Sequence, residues 1–187
     1  MDSISYLKDH FLIALEAEKD SLFYRSVVYV CEHNETGAIG LVVNSPTGLQ
    51  LDDILESLEI TVANPTLVNV PVFTGGPVKE EVGVVLHDGA RHWNSSIATS
   101  STLTLTTSRD ILLSIAAAQG PKKVFFSLGH SGWSPGQLEE EIARDYWLVT
   151  PAQENIIFEV PIGKRWEAAI RSLGIEPNQL VTKHGNA

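Results

Sequence analysis

Along the first third of the chain, apolar residues come in short, dense runs without helical spacing. Phe11 to Leu15 is one such run, and Ser26 to Glu32 is a second, rich in β-branched and aromatic residues. Ala38 to Val43 is a third. Asn34-Glu35-Thr36-Gly37 separates the last two, and two strand-like runs around a short glycine-containing turn predict a β-hairpin. Both of its strands are apolar on both faces, so the hairpin is expected at the centre of a sheet with cover on each side.

The period then changes. Leu51, Ile54, Leu55 and Leu58 recur at i, i+3, i+4 and i+7, the stripe of an amphipathic helix, with Asp52 and Asp53 in the first turn where the helix dipole favours acids. Strands are expected near Pro71–Thr74, Val82–His87 and Thr102–Thr106, with Gly75-Gly76-Pro77 as a tight turn between the first two. A second helix over Ser108–Gln119 carries Ile111, Leu112 and Ile115 on one stripe and stops at Gly120-Pro121. Lys123–Leu128 reads as a buried strand. Ser134 as N-cap, Pro135 as first residue and Gln137 as third predict a capping box and a third helix running to Arg144. Trp147–Thr150 and Ile156–Val160 read as strands. Lys164–Leu173 reads as the last helix, with Trp166, Ile170 and Leu173 inward. Hairpin-linked strands argue against a doubly wound parallel sheet. The expectation is an α+β fold: a mixed, largely antiparallel sheet with about four flanking helices.

Composition narrows the function classes. The 187 residues fit one domain, expected to span 1–187 without linker or repeat. Lys and Arg number 13 against 23 Asp and Glu, so the net charge is 13 − 23 = −10. Such a chain repels phosphate and anionic lipid, and its only basic pairs, Lys122-Lys123 and Lys164-Arg165, are too sparse for a nucleic-acid footprint. Neither direct nucleic-acid binding nor a membrane partner is expected. The single cysteine, Cys31, allows no intramolecular disulfide and fits a reducing compartment. The start, Met1-Asp2-Ser3, lacks a signal-peptide pattern, so the expected address is the cytoplasm.

Three constellations carry possible chemistry. Gly129-His130-Ser131-Gly132-Trp133 follows a predicted strand and precedes a predicted helix, the setting of a serine-hydrolase nucleophile elbow. Trp133 stands where the elbow needs glycine, and the partners would have to be Asp145 and His184, so a glycine-rich turn with Trp133 on the core is the simpler reading. Cys31 and His33, two apart, are expected on one strand face, with His87, Asp88, His92 and His130 elsewhere. None has zinc-site spacing, so no metal and no cofactor are expected. Glu141, bordering the third helix's buried stripe four residues after Gln137, has the placement of a general acid, but no second catalytic group accompanies it. Binding by a neighbouring backbone or arginine is the simpler reading for Glu141. Glu139 and Glu140 are expected to point outward.

Several of these motifs, in order, resemble the YqgE/AlgH family over nearly the whole chain. They are Phe11-Leu12-Ile13-Ala14, Val28-Tyr29-Val30-Cys31-Glu32-His33 and Gly37-Ala38-Ile39-Gly40-Leu41-Val42-Val43-Asn44. Gly75-Gly76-Pro77-Val78, Val85-Leu86-His87 and Gly132-Trp133 follow, then Gly136-Gln137-Leu138-Glu139, Glu141-Ile142, Trp147-Leu148 and Phe158. The resemblance implies a bacterial α+β protein whose bent, split sheet closes into a barrel-like core. It implies no established substrate, cofactor or catalytic residue; one branch is linked to regulating alginate production, with transcriptional control proposed. The residues expected to form a binding site are Glu32, His33, Asn44, Gly75, Gly76, His87, His130, Trp133, Gln137 and Glu141. The leading expectation is a non-catalytic binding or regulatory module acting through a protein or small-molecule partner. Its competitors are a hydrolase using Ser131 or a metal, and a DNA-binding regulator, which the charge disfavours.

Overall fold

A computed structural model describes residues 6–15, 23–63, 69–89 and 93–181. The hairpin forms as its pattern requires. β2 (Val27–Asn34) and β3 (Gly37–Val42) pair antiparallel, flanked by β1 (His10–Ala14), which in turn pairs with β10 (Trp147–Pro151). On the other side of β3 lies β9 (Val124–Trp133), followed in order by β6 (Val78–Asp88), β8 (Leu103–Thr106) and β7 (Ser96–Ala98). All these pairs are antiparallel. β5 (Pro71–Thr74) is parallel to β9, and β4 (Pro46–Gln50) is antiparallel to β5.

β9 is where the sheet bends and splits. Its first half, through Leu128, lies between β5 and β6, and its last three residues pair with β3. Gly129 takes φ 70, a left-handed backbone that permits the bend between the halves. Gly129–Trp133, expected as a turn, therefore continues the strand. The Gly75-Gly76 segment, expected as a tight turn, is instead packed into the split. Gly75 N–H donates to Leu128 O and Gly75 O accepts from Val42 N–H, so this residue bridges β9 and β3.

The curled sheet encloses a core of Phe11, Tyr29, Leu41, Phe73, Leu86 and Phe125, closed by α4 (Glu154–Phe158) and by Trp166 and Ile170 of α5 (Arg165–Ser172). The outer face of β5, β6 and β9 carries a second cluster under α1 (Leu51–Ser57) and α2 (Arg109–Ala116). The outer face of β1–β3 carries a third under α3 (Gln137–Ala143). Four helices have seven or more residues, and α4 and α6 (Pro177–Val181) are five-residue helices that the sequence reading missed.

Four further expectations change. Ile156–Val160 is no strand, because α4 buries the adjacent Ile156 and Ile157 in the same cluster, which a strand's alternation forbids. α3 begins at Gln137 with left-handed Gly136 as its cap; the Ser134 N–H still donates to Gln137 Oε1, so only half of the predicted box forms, one turn early. Leu58 sits past the end of α1 and is exposed. A bulge between Val30 and Glu32 puts Cys31 on the inner face and His33 on the outer one, so the two do not share a face. No described helix is long and apolar enough to cross a membrane.

Candidate functional site

The ten expected site residues do not form one site. Four of them meet beneath α3. Trp133 ends β9 with its indole turned outward, and its Nε1–H donates to Glu141 Oε2 at 2.8 Å. Trp147, at the start of β10, donates to the same oxygen at 2.8 Å, and Gln137 Nε2 donates to Glu141 Oε1 at 3.0 Å. Glu141 is thus bound by side chains, not by backbone or arginine, and it closes α3 over the two indoles. His33 completes the group from β2. Its Nδ1 accepts the Leu7 N–H at 3.0 Å, which leaves the proton on Nε2 to donate to Glu139 Oε1 at 3.1 Å. Glu139, expected to point outward, is therefore the partner that sequence reasoning missed. Its signal was the helix turn shared with Gln137 and Leu138.

A second group lies on the inner face at the end of β2, β3 and β9. Glu32 is opposite Ile39, and Ile39 is opposite Gly132, so the three form a row across the strands. His130 lies on the same face of β9 as Gly132, two residues earlier, opposite Val78 of β6. All four are half-buried or exposed. Burial lowers the His130 pKa below its ordinary value, and the Lys79 charge lowers it further. Gly76 packs directly on this strand: a Cβ there would lie 2.4 Å from His130 O. The Gly75 N–H is already committed to Leu128 O and offers nothing to an anion.

Two expected residues stand apart. Asn44 accepts the Val27 N–H and donates to Arg25 O, clasping the start of β2. His87 is fully buried on β6, with Trp93 edge-on at 4.9 Å between ring centroids. Its Nδ1 donates to Asp88 O at 3.1 Å, and its Nε2 lies 2.9 Å from Thr106 Oγ1. Burial lowers its pKa, against the opposing effects of the Asp88 carbonyl and charge. Thr106 was also missed, although Thr104 and Thr106 alternate along β8 as same-face residues do.

The remaining chemistry does not assemble. Ser131 Oγ is buried and donates to Gly75 O at 3.2 Å, while Asp145 is exposed just beyond α3. His184 and His92 lie outside the described residues. Cys31 is buried, and burial pushes its thiol pKa up, away from the nucleophilic thiolate. Among the described residues no three of His, Cys, Asp and Glu are grouped as metal ligands.

Known proteins with this sequence pattern share this architecture. The chain is 44% identical over 187 residues to a UPF0301 protein of Laribacter hongkongensis, with both chains covered in full. It is 44% identical over the full length of both chains to one from Thioalkalivibrio sulfidiphilus. The solution structure of the AlgH protein from Pseudomonas aeruginosa matches with a TM-score of 0.80 and 40% identity, covering 100% of this chain and 99% of that one. A Corynebacterium diphtheriae crystal structure, 21% identical with a TM-score of 0.70 over 96% and 92% of the two chains, shares the fold. The model of the AlgH-like family matches residues 11–178, and the chain belongs to that family.

Proposed function

We propose that this protein is a non-catalytic, cytoplasmic binding or regulatory module that acts through a protein or small-molecule partner, and that the partner is recognised at the sheet end around His130. One observation carries the reading. Of the four described histidines, His10, His33 and His87 have hydrogen-bonding partners at their rings. His130 is half-buried, and its ring makes no hydrogen bond with any described residue. A half-desolvated imidazole with no hydrogen-bonding partner among the described residues is held at a cost, which a bound hydrogen-bonding group would offset. Loops and strand ends are where such recognition commonly sits. Lys79, close enough to shift His130, places a cation beside the ring that suits a partner with a carboxylate or another acceptor group. Glu32 and Gly76 belong to this patch, whereas His33, Gln137, Trp133 and Glu141 fasten α3. The buried Ser131 hydroxyl counts against the hydrolase alternative.

Titrating the isotope-labelled full chain with a panel of small carboxylates and carboxylate-bearing peptides tests this. Amide shifts centred on Gly76 and 129–132, abolished in His130→Ala, support it. Shifts centred on α3, or binding untouched by His130→Ala, would refute it.

A further inference from the structure

At the β7 edge of the sheet, the end opposite β10, three side chains form a hydrogen-bonded line from the edge strand to the interior. Ser96 on β7 is directly opposite Thr106 on β8, with Oγ to Oγ1 at 2.7 Å. Thr106 Oγ1 is 2.9 Å from His87 Nε2. We propose that Ser96 is a covalent acceptor for acyl groups delivered by carboxylic esters, its hydroxyl proton passing through Thr106 to His87.

The direction of the line follows from its inner end. Asp88 O can only accept, so His87 Nδ1 carries the ring proton and Nε2 is an acceptor. Thr106 must then donate to Nε2, and its oxygen is left to accept from Ser96. Every donor points inward, which is the order needed to withdraw a proton from the outermost hydroxyl. Thr106 and His87 are fully buried, while Ser96 is only half-buried. β7 ends the sheet, and no described strand pairs with its free side. Thr107 N–H bonds Ser95 O, so Ser95 opposite Thr107 is a hydrogen-bonded pair and Ser96 opposite Thr106 is not. In an antiparallel ladder this brings the Ser96 and Thr106 side chains close together and turns the Ser96 N–H outward to the free edge, beside its own hydroxyl. That N–H is a donor for the oxygen of an attacked carbonyl. By contrast, Ser131 is buried against a carbonyl, and Ser108 is held by Asp110.

In the step, Ser96 Oγ bonds to the ester carbonyl carbon as its proton moves to Thr106 Oγ1 and the Thr106 proton moves to His87 Nε2. The tetrahedral intermediate then breaks its bond to the alcohol oxygen, which takes a proton from Thr106 Oγ1 as His87 Nε2 returns its proton to Thr106. The products are an acyl ester of Ser96 and the free alcohol. The adduct is stoichiometric, so the site is one of modification, and it stands independently of the His130 reading.

The full chain incubated with p-nitrophenyl acetate tests this. The expected result is one acetyl group per chain, mapped to Ser96 by peptide mass spectrometry, with an equal release of p-nitrophenolate. Thr106→Val should slow acylation at least about tenfold, and Thr106→Ser should restore it, as expected when a general base is disconnected and reconnected. Because burial holds His87 neutral, the wild-type rate should persist below the ordinary histidine range before falling, and folded Thr106→Val should lose that pH profile. No adduct at Ser96, or equally fast acylation of Ser96 in folded Thr106→Val, would overturn the proposal. Ser96→Ala, on the edge strand, checks the mapping without touching the core.

Discussion

Trp133 and Trp147 direct their indole N–H groups at one oxygen, Oε2 of Glu141, each at 2.8 Å. The rings lie edge to face with centroids 6.2 Å apart, and Phe23 adds a second such contact to Trp147. A carboxylate accepting two indole donors and the Gln137 amide is a charge-assisted knot that holds α3 on the outer face of the hairpin. Glu141→Ala leaves two indole donors without an acceptor and should destabilise the protein by about 2–4 kcal/mol, whereas Glu141→Gln keeps an acceptor and should cost about 1 kcal/mol. Urea unfolding of both variants checks this order. Equal, negligible losses would mean that the indoles find water at no cost.

The Gly75-Gly76 crossing sets a steric test. A Cβ on Gly75 would lie 2.2 Å from Gly129 O, and one on Gly76 would lie 2.4 Å from His130 O, both against backbone that cannot step aside. Gly76 also has φ 150, in the region that favours glycine. Gly75→Ala and Gly76→Ala should each cost more than about 3 kcal/mol, enough to leave much of the protein unfolded if its stability is ordinary. Gly163→Ala, where nothing lies within 4 Å, should be neutral. Circular dichroism on the three purified variants separates the outcomes.

These glycines also show how far the sequence could be read. The hairpin, α1, α2 and α5 were legible because each is written in local periodicity, and the tertiary packing agreed with it. Gly75-Gly76 and Gly129 were not, because a glycine's tolerance is the same in a tight turn as in a strand threaded through a split sheet. Only the neighbouring strand distinguishes the two. Ile156–Ile157 carries β-branched residues that favour a strand, yet both side chains are needed in one cluster, and packing overrode propensity. The same limit governed the site. Glu141 was visible as a half-buried acid, but two of its donors come from β9 and β10. His33 and Cys31 separated because a bulge adds one residue to the alternation, which no pattern in the chain announces.

Arg165 is the buried cation of the inner core. Its Nε donates to Val160 O at 3.1 Å, its Nη1 to Val43 O, and its guanidinium lies 5.2 Å from the Phe73 ring centroid. Burial lowers its pKa to about 10, and its partners are backbone carbonyls and a ring face, not a carboxylate. Arg165→Ala should cost about 2–4 kcal/mol by stranding two carbonyls. Arg165→Lys should cost nearly as much, because an ammonium cannot match the planar fork and ring stacking together. Denaturant midpoints for both variants decide the point; a silent Arg165→Lys would show that charge alone is what the site needs.

Acid should weaken this fold through His87 and His130 before Asp110. Burial holds the His87 pKa below its ordinary 6.5, so the folded state refuses a proton that the unfolded chain accepts. Above pH 6.5 both states are neutral and His87 contributes no pH dependence. As pH falls through that value, the unfolded chain is protonated first, and stability drops by at most about 1.4 kcal/mol per pH unit until the folded imidazole also takes a proton. His130 shifts in the same direction, with a smaller effect because it is half-exposed. The lowered pKa of Asp110, held down by Ser108, acts in a separate and more acid window: its stabilisation is present above its unfolded value of 3.8 and is lost below it. Urea midpoints at about pH 7.5 and about pH 5.5 should therefore differ in the wild type. Most of that difference should vanish in His87→Gln, where an amide replaces the titrating ring. An undiminished difference in that variant would assign the acid sensitivity to another group.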